Sequence, residues 1–439
     1  MRFLLTLATA ALSLLPVHAA KEVFAHYIVG NAPELDQADW EDDIQLAKDV
    51  LIDAFVLNIA SQDPNNANSL ENAFAAANNK DFKLFFSFDY LAQGPWPKQQ
   101  VISLIQKYGS NPAYFKHDGS KPFVSTFEGP DSAGDWPEIK ATTGCFFVPD
   151  WSSLGPSGAV QRAGDTIDGL FSFDAWPTGS ANITTDQDFA FKTALGGKTY
   201  MMPVSPWFYT NLPGFNKNWM WRGDELWDRR WEQVLEVQPD FVEILTWNDY
   251  GESHYIGPVR QKELGLFAAA AAPINYVENI SHDGWRKLLP YYIGQYKNGG
   301  ANVSEEAAVV SYRSNPSTAC LTGGTTGGNK MFGETEVPPE QLVDDNVFYS
   351  VLLSSSADVT VTVSIGGQSQ QGFLSSPPAA GNDAPGVYQG SVPFGFRRGN
   401  VVVTVARGGT TIVEVQGGPS ISTLCKNGVQ NWNAAAISS

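Results

Sequence analysis

The 439-residue chain is short of the features that mark several chemistries: it has 3 cysteines, 5 histidines, and only 28 Lys and Arg against 46 Asp and Glu, for a formal net charge of −18. Such a surface repels polyphosphate, which excludes nucleic acid as the natural partner and suits a neutral substrate or an acidic medium. The histidines after the first twenty residues, His26, His117, His254 and His282, are not paired at metal-ligand spacing, so no metal or other cofactor is expected. HExxH, CxxC, the GxSxG elbow and the glycine-rich dinucleotide fingerprint are all absent. The one glycine-rich stretch, TGGTTGG from Thr322, lacks the lysine and helix that a phosphate cradle needs. Beyond the first twenty residues no apolar run approaches the roughly 18 residues of a membrane span, and NWNAAAISS has no lipid-anchor tail.

What is present begins with Met1–Ala20, MRFLLTLATAALSLLPVHAA, which has one Arg, an apolar run and a small-residue ending. It reads as a secretory signal peptide, so a soluble, extracellular protein is expected, acting as a monomer without a membrane partner. In an oxidising compartment Cys320 and Cys425, both in the C-terminal region, are the expected disulfide, leaving Cys145 a free thiol in a buried strand. Asn182, Asn279 and Asn302 stand in glycosylation sequons.

Eight short apolar runs follow in order: VFAHYIVG from Val23, AFVLNIA from Ala54, KLFFSFD from Lys83, PFVSTFEG from Pro122, CFFVPDW from Cys145, GLFSFDAWP from Gly169, TYMMPVSPWFY from Thr199 and FVEILTWNDYGE from Phe241. Runs apolar on both faces, spaced about 30 residues apart with helical patterns between, predict parallel strands in β/α units. In the first crossover Trp40, Ile44, Ala47 and Leu51 keep helical spacing. Residues 260–272 and 284–297 predict two closing helices. From about residue 303 the texture becomes alternating strands, with a hairpin turn at Gly408-Gly409. The expectation is an α/β (β/α)8 TIM barrel over 21–302, followed by an antiparallel β-sandwich over 303–439.

A barrel keeps its chemistry at the C-terminal strand ends. Read there, the chain offers His26, Asn58, Asp89, Glu128, Asp150 with Trp151, Asp174 with Trp176, Trp207 with Tyr209, and Trp247, Asn248, Asp249 and Glu252. Acids serve as proton donor, base and hydroxyl acceptor, while flat rings cover sugar faces, so the set points to glycoside hydrolysis. Asp249 and Glu252 form the sharpest pair, with backbones on the order of 10 Å apart if extended and a turn at Gly251 able to bring them closer. That spacing fits the inverting geometry, in which about 6.5 to 9.5 Å between carboxyls admits a water. Asp89 is the third catalytic candidate and an alternative partner. Asp150 and Asp174 equally suit helix caps, and His26 equally suits an internal hydrogen bond. Trp227 and Trp231, four apart on a helix, are expected in the core, and Trp219 and Trp221, in a loop, as sugar platforms. A secreted binding barrel without turnover, or a glycosidase for another glucan, stays open on the residues alone.

VFAHYIVGN, FVLNIA, KLFFSFDY, FVSTFEG, FFVPDW, FSFDAWP, MPVSPWFYT and FVEILTWNDYGESHYIGP resemble, in that order, the glycoside hydrolase family 71 endo-α-1,3-glucanases, or mutanases, over roughly residues 22–310. The resemblance implies inverting hydrolysis of α-1,3-glucan, as in fungal cell walls, by acids that match Asp89, Asp249 and Glu252. Glu252 is assigned the general acid, Asp249 the base that activates water, and Asp89 a supporting part, with the exchange of the first two roles open.

Overall fold

The computed structural model describes residues 21–439 apart from 376, 379, 380 and 382, so the expected signal peptide lies outside the described residues. The eight expected runs form parallel strands: β1 Glu22–Ile28, β2 Ala54–Ala60, β3 Lys83–Asp89, β4 Lys121–Phe127, β5 Phe146–Phe147, β6 Gly169–Phe171, β7 Thr199–Val204 and, after a hairpin of β8 Tyr209–Leu212 and β9 Lys217–Met220, β10 Phe241–Ile244. Pairing runs β4-β3-β2-β1-β10-β7-β6, with β5 on the outer side of β4. The fifth strand is thin because Pro149 has no N–H to give the ladder. Even so, Val148 N–H donates to Val124 O at 2.9 Å and Asp150 N–H to Thr126 O at 3.1 Å on one side. On the other, Phe171 N–H reaches Pro149 O and Asp168 N–H reaches Phe147 O, both at 2.9 Å. The architecture is mixed α/β around a parallel sheet that curls back toward its own first edge.

Helix α1, Gln37–Asp49, begins where Asp36 accepts from the Ala38 and Asp39 amides in a capping box, and it buries Trp40, Ile44 and Ala47. Leu51, expected to extend that stripe, lies past the helix end at φ 68° and is 48% exposed. Trp227 and Trp231 are buried on Leu226–Val237, as their spacing implied. The stretch 260–272 keeps only a short helix, Gly265–Ala269, because Gly265 and Pro273 bracket it. The stretch 284–297 forms Gly284–Lys287 and Leu289–Asn298, the second with Pro290 in its first turn.

Inside the curl the two-residue period stacks side chains in layers. At the bottom Phe24, Phe85, Phe115, Phe123 and Phe241 meet, with Phe85 and Phe123 ring centroids 4.7 Å apart. One layer up, His26 Nδ1 lies 2.6 Å from Glu243 Oε1, both side chains buried. The layer above is the mouth, reached by Asn58 on β2 and Asp89 on β3.

Beyond residue 306 the chain forms two four-stranded antiparallel sheets, Ala307–Arg313 with Asn346–Leu353, Gly386–Pro393 and Ala434–Ser438, and Val359–Ile365 with Gln368–Gly372, Val401–Arg407 and Thr410–Gln416. The sequence pattern missed Gln368–Gly372, which is polar, and Ala434–Ser438, which is alanine-rich, neither with strand propensity, and it also passed over Ala307–Arg313, whose AAVVSYR does have it. The first sheet puts Val309, Leu352, Val387, Ala434 and Ala436 into the core shared with the parallel sheet, so the region is not a detached module. The two sheets enclose a second core that includes Val310, Val351, Val363 and Val403. Cys320 and Cys425 are disulfide-bonded as expected, and Cys145 is free and buried.

Behind β7, fully buried Arg230 binds Asp188 through both terminal nitrogens, at 2.9 and 3.1 Å, and donates to Pro203 O. Arg230→Leu strands the Asp188 carboxylate and is expected to cost about 3–5 kcal/mol in urea denaturation, with Asp188→Leu recovering part of it in the double variant.

Candidate active site

An open cleft of about 560 Å³ lies at the C-terminal ends of β1–β3 and β10, with Asn58, Asp89, Lys217, Asp249, Gly251 and Glu252 in its lining. Its floor is the loop after β10, and local hydrogen bonding fixes that loop. Thr246 N–H donates to His254 O and Ile256 N–H returns to Thr246 O, both at 2.9 Å, tying the loop's ends together. Asn248 anchors it to β1, accepting from Ile28 N–H at 2.8 Å and donating to Ile28 O at 2.9 Å. Asp249 Oδ1 then accepts from Glu252 N–H at 2.8 Å, a turn that draws both carboxyls to one side. At Gly251 an added Cβ would stand 3.1 Å from methyls of both Leu212 and Leu266, so a side chain there would require those methyls to give way by a few tenths of an ångström.

Two bases hold Glu252. Lys217 Nζ donates to Oε1 at 2.6 Å, and His254 Nε2 stands 3.0 Å from Oε2. Thr246 Oγ1 accepts from Asp249 N–H at 2.9 Å and can give its own hydrogen to His254 Nδ1 at 3.1 Å. The ring is then free to donate from Nε2 to the carboxylate. Burial pulls the Glu252 carboxyl upward, but the Lys217 ammonium and the His254 contact outweigh it and hold the group well below the usual carboxylate range. Glu252, with Asp249 and Asp89 behind it, keeps the Lys217 ammonium protonated. Asp249 moves the other way: burial raises its carboxyl, and the Glu252 charge adds to the rise. The two side chains are 13% and 18% exposed, so each keeps a small part of its surface open.

Asp249, Glu252 and His254 bring one ligand-type atom each within 4.8 Å of one another, a set able to hold a cation. Lys217 already supplies a positive charge to Glu252 there. One carboxylate oxygen of Asp249 thus comes within 4.8 Å of one of Glu252, because the Asp249 turn folds the loop instead of leaving it extended. Asp89 lines the cleft, but its Oδ1 is engaged by the Leu91 and Ala92 amides at 2.8 and 2.9 Å.

The remaining expected residues divide. Asn58 lines the cleft and Asn248 braces it. His26 is enclosed with Glu243 one layer below. Glu128 accepts from Ser153, and fully buried Asp150 accepts from the Ser152 amide and hydroxyl, so both act as loop anchors. Burial raises the carboxyls of Asp150 and Asp174. Trp151, Trp207, Tyr209 and Trp247 are at most 3% exposed and belong to the core, not to a sugar surface. Trp219 and Trp221, expected in a loop, lie on or beside β9 and pack with Phe208 and Trp176 behind His254. Asn182, Asn279 and Asn302 are exposed. Sequence reading missed Lys217, Glu243 and the placement of His254; the hint for Lys217 was a cation in a strongly acidic chain.

The chain is 36% identical to a glucan endo-1,3-alpha-glucosidase of Schizosaccharomyces pombe, over 98% of this chain and 97% of that protein. It is 34% identical to a mutanase of Penicillium rubens, over 92% and 86%, and 26% identical to an ascus wall endo-1,3-alpha-glucanase of Schizosaccharomyces pombe, over 79% and 82%. Among solved structures, a GH99 endo-alpha-mannosidase of Bacteroides thetaiotaomicron overlaps 63% of this chain and 97% of its own, at a TM-score of 0.48 and 15% identity. The family model for glycosyl hydrolase family 71 matches residues 19–439. With that match running through both the cleft and the C-terminal sheets, the chain belongs to glycosyl hydrolase family 71 and is a glycoside hydrolase.

Proposed function

We propose that this protein is a secreted endo-α-1,3-glucanase that cleaves internal bonds of α-1,3-glucan at the Asp249–Glu252 cleft, outside the cell or in a wall. The observation that carries the reading is the unequal treatment of two neighbouring acids: Lys217 and His254 hold Glu252 ionised, while burial favours the neutral form of Asp249. One protonated and one charged carboxyl is the pair a glycosidase needs. The names of the similar proteins supply the α-1,3-glucan linkage. The curled parallel sheet is taken as a (β/α)8 barrel over 21–302 and the C-terminal sheets as a β-sandwich over 303–439. Secretion fits the Cys320–Cys425 disulfide, and Asn182, Asn279 and Asn302 are the glycosylation positions.

The electrostatics favour the exchange of roles left open by the sequence. Asp249 gives its proton to the glycosidic oxygen as the C1–O bond breaks. Glu252 takes a proton from the water whose oxygen bonds to C1, which inverts the anomeric centre. Asp89, tied to its own loop, steers hydroxyls. A second reading rests on the folded loop: with an oxygen of each acid within 4.8 Å, the pair also suits the close approach of retaining enzymes, in which Glu252 would attack C1 itself.

Anomeric-proton NMR during hydrolysis of an α-1,3-gluco-oligosaccharide separates these: the β-anomer appears first under inversion and the α-anomer under retention. Asp249→Asn and Glu252→Gln are each expected to lower kcat by at least about 10²-fold while the polymer is still bound. Wild type that binds α-1,3-glucan but releases no reducing ends contradicts the enzyme reading, and release from β-1,3-glucan or starch instead moves the substrate.

The pH profile follows from the same pair. A depressed Glu252 leaves the base ionised down to low pH, and a raised Asp249 keeps the acid protonated further up. Lys217→Met removes the cation that holds Glu252 down, so the acid limb of kcat/KM should move to higher pH, while Lys217→Arg should keep it near wild type. An unmoved acid limb in active Lys217→Met removes Glu252 from the base role.

A further inference from the structure

With Trp151, Trp207, Tyr209 and Trp247 enclosed, the cleft has one well-exposed ring in its lining, Phe215, at 54% exposure. It sits at the tip of the β8–β9 hairpin, which the strand count did not include. The tip is rigid for stated reasons. Pro213–Phe215 is a single 3-10 turn closed by Asn216 N–H donating to Pro213 O at 3.0 Å, with Asn216 at φ 55°. Gly214 N–H donates to Ala270 O at 2.8 Å, and a Cβ at Gly214 would come 2.9 Å from that oxygen, so the tip is seated directly on the backbone after the short helix Gly265–Ala269. Below it the strands pair with Lys217 opposite Leu212. Only Asn216 lies between Phe215 and Lys217, the group on Glu252, so one hairpin carries both the ring and the cation that holds the carboxylate.

The chemistry of the lining matches a pyranose. Phe215, Leu212 and Leu266 are apolar, while Asn58, Asp63 and Asp89 offer hydrogen-bonding groups in the same cleft. A sugar presents C–H groups on its faces and hydroxyls at its rim, so it needs both kinds of surface. What sets Phe215 apart from other exposed rings of the chain is its place in the cleft lining, where its open face can be covered by a bound sugar.

We propose that Phe215 is the stacking platform for a glucosyl unit bound beside Glu252, and that the β8–β9 hairpin is a substrate-reading element of the site. This rests on the α-glucanase reading above. The test compares Phe215→Ala, Phe215→Tyr and Phe215→Trp with wild type on α-1,3-, β-1,3- and α-1,4-gluco-oligosaccharides, each first checked for a cooperative thermal transition. Phe215→Ala should raise KM roughly ten- to hundredfold, the binding given up with a buried Phe ring, with kcat near wild type. Phe215→Tyr and Phe215→Trp should restore KM. An unchanged KM in folded Phe215→Ala overturns the platform. Should Phe215→Ala fail to fold, Phe215→Trp in the Glu252→Gln background reports instead: a shift in tryptophan emission on titration, beyond that of Glu252→Gln alone, supports stacking, and calorimetric binding without the extra shift overturns it. Wild-type cleavage of only another linkage defeats the substrate reading, and the same KM comparison on that linkage then decides the platform separately.

Discussion

The site depends on one cation placed among acids. In a chain of net charge −18, Lys217 stands 2.6 Å from Glu252, and without it Glu252 and Asp249 would face each other as like charges in a partly desolvated cleft. Two such groups cannot both stay ionised cheaply, so a proton would be shared between them and neither would hold a fixed role. Lys217 and His254 break that symmetry by fixing the charge on Glu252. In the proposed mechanism the neighbouring acid, whose carboxyl burial shifts upward, carries the proton, which is the division of labour that glycoside cleavage requires.

The fold serves that pair through backbone constraints more than through the side chains at the mouth. The loop after β10 is closed on itself by Thr246, His254 and Ile256 and pinned to β1 by Asn248. The β8–β9 hairpin brings Lys217 in from outside the parallel sheet, and the Asn218 amide on the same strand donates to Gly323 O at 3.0 Å. The C-terminal region also pairs Thr326–Gly327 with β9 and ties Glu334 to the Trp221 indole at 2.8 Å. The second half of the chain therefore buttresses the element that carries the deciding cation, which gives a physical reason for a family match running the full length.

Strand positions were legible because buried parallel strands are written as continuous apolar runs, and the acids at their ends follow once the strands are counted. Asp89, Asn58, Asp249 and Glu252 were reached in that way, and all four line the cleft. Exposure was not legible. Trp151, Trp207, Tyr209 and Trp247 stand at strand ends like the acids do, yet the packing above the phenylalanine layer takes them into the core, which only the three-dimensional arrangement decides. Lys217 carries no motif, since its role comes from a hairpin that folds back across the mouth. The roles proposed for Asp249 and Glu252 were equally hidden, because they rest on what touches each carboxyl and not on its place in the sequence.

The most direct measurement is the ionisation of Glu252 itself. In protein labelled with carboxyl-13C glutamate, the resonance lost in Glu252→Gln identifies the group, and its shift is followed as pH is lowered. The account predicts that Glu252 keeps its ionised shift well below the ~4.3 of an unperturbed glutamate, for as long as the fold persists. A resonance that titrates in the ordinary glutamate range or above it would contradict the fixed charge on which the assignment of acid and base rests.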